Sequence, residues 1–146
     1  IRVMPLTKEE AEKVRAMRPE DDREEYDACM DLFSDLTDAL LKRDLMTVLE
    51  CGEAMASLES REKQKAFCTF AGDCIRKIFM IQQNVPELAD LSAREADFFR
   101  NVSERLPETF CPKTMANIEK AVAMIDRNVN SKIVFCDLVN RMFLSV

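Results

Sequence analysis

From Phe67 to Phe79 the apolar residues Phe67, Phe70, Ala71, Cys74, Ile75, Ile78 and Phe79 recur at intervals of three and four, a spacing that an α-helix gathers onto one side. The resulting face is too broad for a helix lying on the surface of a small protein. It predicts a helix buried on more than one side, running through SREKQKAFCTFAGDCIRKIFMIQQN from Ser60. The rest of the chain offers little besides helices to surround it. Only two glycines and five prolines occur in 146 residues, so few turn residues exist for a multi-stranded sheet. The expected fold is all-α, a bundle of about five to seven helices.

The individual helices follow from caps and apolar spacing. Ile1 to Leu6 alternates like a short strand, and Thr7 with Glu10 forms a capping box for a charged helix that Pro19 stops. Glu20, Asp21 and Asp22 suit the start of a second helix, with Tyr26, Met30, Phe33, Leu36 and Leu40 inward and Cys29, Leu32 and Leu41 widening the face. Asp44 caps a third, with Leu45, Val48, Leu49, Gly52, Met55 and Leu58 as its stripe. Gly52 there permits close approach of a neighbour. Beyond Pro86, Ser92 and Glu95 form another capping box before Ala96, Phe99, Val102 and Leu106. Pro107 and Pro112 bound a loop, with Pro112 in the first turn of a helix carrying Met115, Ile118, Val122, Ile125 and Val129.

The sequence Asn128-Val129-Asn130 then breaks the pattern for a single turn. Asn128 tolerates the left-handed conformation that ends a helix, Asn130 is a good N-cap, and Val129 pins the corner to the core. The final helix carries two apolar rows, Val134, Leu138 and Met142 beside Phe135, Val139 and Phe143. One antiparallel partner does not cover both. Two readings of this surplus stand: one row faces solvent in the isolated domain and serves as a subunit interface, or the helix is a fully internal core helix.

Composition excludes much chemistry. With no histidine, the chain cannot assemble a Ser-His-Asp or Cys-His nucleophilic site. Gly52 and Gly72 are isolated within helical patterns, so there is no glycine-rich phosphate loop. The net charge of −6, from 27 acidic and 21 basic residues, opposes broad binding to a phosphate backbone. Six cysteines without a C-x-x-C pair read as small core residues of a reduced, cytoplasmic protein. No long apolar run and no basic-then-apolar leader suggests a membrane or export.

Some residues remain as candidate sites. Arg61, Lys63 and Lys65 form a small basic cluster whose bland reading is a solvated first turn with Glu62 facing the helix dipole. The pairs Asp35/Asp38 and Glu24/Asp27 lack the third ligand and fixed loop of a cation site. The nine methionines read as flexible core filler. No cofactor is implied.

The segments REKQKAFCTFAGDCIRKIFM and IEKAVAMIDRNVNSKIVFCDLVNRM resemble the C-terminal region of the bacterial DNA polymerase III clamp-loader delta-prime subunit, especially forms from Bacteroidetes. The motif positions are Arg61, Glu62, Lys63, Gln64 and Lys65, then Asn128, Val129, Asn130 and Lys132. Proline often follows N-V-N in that family, where this chain has Ser131. The resemblance spans roughly Asp22 to Val146 and implies a non-catalytic collar domain, through which subunits of a replicative clamp loader associate. It further implies partnership with delta and gamma or tau subunits, contact with DNA only through the complex, and a cytoplasmic location. Residues 1–21 resemble the end of the family's ATPase core or its lid, so the expected domains are 1–21 and 22–146. Other readings are the collar of the related gamma or tau subunit, where a tau chain is expected to continue beyond its last helix, a helical DNA-binding module using REKQK, and a metal-dependent enzyme using the acidic pairs.

Overall fold

The computed structural model describes residues 20–89 and 91–146. The expected strand at Ile1 to Leu6 and the charged helix ending at Pro19 lie outside the described residues. Six α-helices occur among them: α1 (Glu20–Leu41), α2 (Leu45–Ala56), α3 (Arg61–Gln82), α4 (Ala93–Arg105), α5 (Phe110–Asp126) and α6 (Ser131–Ser145), with a 3₁₀ turn at Pro86–Ala89 between α3 and α4. The chain divides into two compact units, Ile1–Asp31 and Leu32–Val146. That border lies inside α1. None of the described helices is long and apolar enough to cross a membrane.

Three helices are closed by a left-handed residue other than glycine. After α1, α3 and α5 a single left-handed residue reverses the chain: Arg43 (φ 55°), Asn84 (φ 62°) and Asn128 (φ 62°). At the last of these, the Asn128 amide donates to Ile125 O and the Val129 amide to Met124 O, each at 3.0 Å. Those bonds satisfy carbonyls that the end of α5 would otherwise leave unpaired. Helix starts are equally explicit. Asp44 accepts from the Thr47 amide, Ser60 from the Lys63 amide, and Asn130 from the Lys132 and Ile133 amides. The Thr47 hydroxyl and amide hold the Asp44 carboxyl below its usual range.

Within the unit Leu32–Val146, α3 runs antiparallel to α5: Lys65 at one end pairs with Asp126, and Gln82 at the other accepts from the Cys111 thiol. Helix α6 packs against both α2 and α5. At Gly52 the α2 and α6 backbones come so close that an added methyl group would lie 2.9 Å from Val139 Cγ2 and 3.4 Å from the Phe135 carbonyl oxygen. The expected role of Gly52 is therefore met. Phe33 of α1 sits edge-on to Phe98 of α4, with ring centres 6.4 Å apart. Phe33, Leu36 and Leu40 are buried as expected, whereas Leu45 at the start of α2 is exposed and Cys51 takes an inward position instead.

One expected start differs. Ser92 precedes α4 but makes no side-chain cap bond. Its supposed box partner Glu95 turns away to Lys77 of α3 at 3.3 Å, where the ammonium also lies 5.7 Å from the centre of the Phe99 ring. A tertiary ion pair with little solvent access has taken the carboxylate from the local cap. Helix α5 begins at Phe110, so Pro112 lies inside its first turn, where a missing amide hydrogen costs no helical bond, and the loop after Pro107 is short.

All six cysteines are free. Burial pushes the Cys68 and Cys111 thiols up to about 12, so both stay protonated at neutral pH. Among the described residues one buried side-chain polar group is unpaired: Thr114 Oγ1, on a fully buried residue of α5, has no hydrogen-bond partner. Replacing it with valine keeps the shape and removes the desolvated hydroxyl. Thr114→Val should stabilise the protein by about 1 to 3 kcal/mol, read as a higher denaturation midpoint at unchanged slope. A loss of stability would mean that this hydroxyl is satisfied in solution.

Candidate functional site

The two segments that carry the family resemblance lie far apart in the chain, yet the fold joins them in one corner. Arg61, at the first position of α3, sends its guanidinium to the carbonyls of Ile125 and Val129 at 3.2 and 3.3 Å. Lys65, one helical turn later, reaches Asp126 at 2.9 Å. Gln64 lies between them and is buried. Its amide nitrogen donates to Ala56 O and Leu58 O at 3.3 and 3.5 Å, while its oxygen accepts from the Ser131 hydroxyl at 2.9 Å. The end of α2, the end of α5 and the start of α6 thus meet on the first turn of α3.

The far end of α3 repeats the device. Gln82 donates to Ser103 O and Leu106 O, both at 3.0 Å, and so closes the end of α4. Helix α3 therefore supplies side-chain donors to the open carbonyl ends of α2, α4 and α5, groups that a helix cannot satisfy from within. Sequence reasoning missed this use of Gln64 and Gln82. A buried-face glutamine at each end of the broadest apolar helix was the available signal.

These bonds revise the reading of the basic cluster. The cations of REKQK are engaged within the protein: Arg61 and Lys65 as above, and Lys63 with Glu59 at 2.8 Å. The hydrogen bond and charge of Asp126 raise the Lys65 ammonium pKa, and Lys63 lowers that of Glu59 in the same way. The Asn130 cap, Arg61, Ser131 and Lys132 line a cleft of about 550 Å³ together with Glu53 and Ser57 of the α2 end. Its cations face an opposing carboxylate, and Arg61 already donates to carbonyls. The cleft is a polar seam between helix ends.

The candidate interface rows of α6 lie inside the fold. Val134, Phe135, Leu138, Val139 and Met142 are all buried, and only Phe143 is partly open. Both rows are covered because α6 has two helical partners, α2 and α5. Neither row is therefore a free joint. The outer face of α6 instead exposes Ile133 and Leu144, one at each end. Asp38 of the candidate acidic pairs binds Lys42 at 3.0 Å, and no group of three or more His, Cys, Asp or Glu residues is gathered among the described residues.

A second concavity lies between α3 and α5, a groove of about 350 Å³ around Gly72 with Met115, Ile118 and Val122 opposite. Unlike Gly52, Gly72 has open space where a side chain would project. Compared with protein-family models, curated proteins and solved structures, the chain matches none of them.

Proposed function

We propose that this chain is a non-catalytic helical collar domain of a bacterial DNA polymerase III clamp loader, of the delta-prime kind, acting in the cytoplasm as a scaffold for assembly with delta and gamma or tau subunits. The observation that carries this reading is the corner. Arg61, Gln64 and Lys65 of the first motif meet the segment from Asp126 to Ser131 that contains the second, so the resemblance rests on one three-dimensional unit. The engagement of the REKQK cations with Asp126, Glu59 and helix-end carbonyls favours a scaffold over a DNA-binding module. The corner itself supports the fold, so the joint with other subunits lies elsewhere on the surface.

The test is reconstitution. The protein, mixed with purified clamp-loader delta and gamma subunits from the same cells, should co-elute with them on size-exclusion chromatography and co-purify from cell extract. Failure of the unmodified full-length protein to bind either subunit would reject the clamp-loader reading.

A further inference from the structure

We propose that the groove between α3 and α5 at Gly72 is a docking site for a helix of a different protein subunit, one that presents an apolar ridge flanked by lysine or arginine. The proposal deepens the assembly reading above by naming the surface and the chemistry of its partner. Three observations carry it.

The first is the contrast between the two glycines. A glycine inside a helix weakens it relative to alanine, so its presence calls for a compensating use. Gly52 has one within the chain, the close passage of Val139. Nothing lies within 4 Å of a side chain built on Gly72. The space that Gly72 leaves is open to the outside, beside the buried Cys68 at the flank of the α3 apolar face.

The second is the lining. Ile118 is buried while Met115 and Val122 are partly exposed, so the groove wall opposite Gly72 is apolar and its methionine can adapt to a ridge of inserted side chains. The exposed apolar residues Ile133 and Leu144, by contrast, lie at opposite ends of α6 and share no groove, and the concavity that Leu144 lines carries the cations Lys113 and Arg141.

The third is charge. Asp73 and Glu119 stand at the rim, both exposed, and neither forms an ion pair with any described residue, while no cation lines the groove. A second copy of this groove would bring like charges together, whereas a basic helix meets complementary potential. This selects a different subunit over self-association.

The probe is a fluorescent synthetic helical peptide with a leucine ridge flanked by lysines, titrated against the protein by anisotropy, with a glutamate-flanked peptide as control. Gly72→Leu places a side chain in the groove with no neighbour within 4 Å of its Cβ, so it should melt at or above the parent temperature while weakening lysine-peptide binding by about tenfold or more. The pair Asp73→Asn and Glu119→Gln should weaken it less, and the glutamate peptide should bind poorly to the parent. Unchanged affinity of a folded Gly72→Leu protein would overturn the groove. In the reconstitution, assembly by the parent and equally by Gly72→Leu would also overturn the groove and leave the collar reading standing. Absence of assembly by the parent would remove the collar reading, and the peptide titration would still decide the groove.

Discussion

Val139→Asp should unfold the helical unit at neutral pH, whereas Val139→Ala should leave it folded and weaker by about 2 kcal/mol. Val139 is fully buried, and its Cγ2 lies where a Gly52 methyl group would come within 2.9 Å. A carboxylate placed there has no partner and no room for water. The cost of burying it, about 4 kcal/mol or more, approaches the whole stability of an ordinary domain. The pH dependence identifies the cause. The introduced carboxyl would have a folded-state pKa raised above its unfolded value of about 3.9, so the damage should be smallest below that value and grow as pH rises through the folded pKa. Circular dichroism melts across that range would show it. The same contact sets the outcome at Gly52. Alanine gains about 1 kcal/mol of helix propensity there but forces the stiff, β-branched Val139 aside, an overpacking that costs about 1 to 3 kcal/mol. Gly52→Ala should therefore be neutral to destabilising alone and should gain stability when Val139→Ala is added beneath it. A Val139→Asp protein that melts like the parent would refute the packing of α6 on α2.

The fate of that helix shows what a single sequence reveals. Caps are short-range, and Asp44, Ser60 and Asn130 were legible because their acceptors serve amides two or three residues away. The left-handed turn at Asn128 was legible for the same reason. Gly52 could be read as a point of close approach, but the helix that approaches it could not, since nothing local names a partner more than eighty residues away. The second covering of α6 was hidden likewise. Two apolar rows are as consistent with two internal partners as with one partner and one interface, and only the packing of α2 and α5 decides between them. Ser92 failed for a complementary reason: Glu95 was read with its neighbours in sequence, and an ion pair with Lys77 outcompeted the local cap. At the corner, the Arg61 to Lys65 cluster was read as surface because charged residues usually are. The carbonyl ends of other helices, which occupy Arg61, cannot be seen from its own helix.

Gln64 is where that hidden dependence should be largest. Gln64→Leu keeps the volume and the helix but removes one donor group shared by Ala56 O and Leu58 O and one acceptor used by Ser131. With the residue buried, those partners lose a bond that water cannot easily replace, and the expected loss is about 2 to 4 kcal/mol. Gln64→Glu separates the two halves of the effect. Its carboxylate can still accept from Ser131, but it turns negative oxygen toward two carbonyls, so its cost should exceed that of leucine at neutral pH and shrink as acid protonates it. Ser131→Ala should cost less than either, because the hydroxyl is only one of the three partners. Combined with Gln64→Leu it should cost less than the sum, a coupling of about 0.5 to 1.5 kcal/mol between residues 67 positions apart. Denaturant melts of the two single variants and the double variant measure that coupling. Strict additivity, with Gln64→Glu no worse than Gln64→Leu, would mean that the first turn of α3 does not hold the α5–α6 corner in solution.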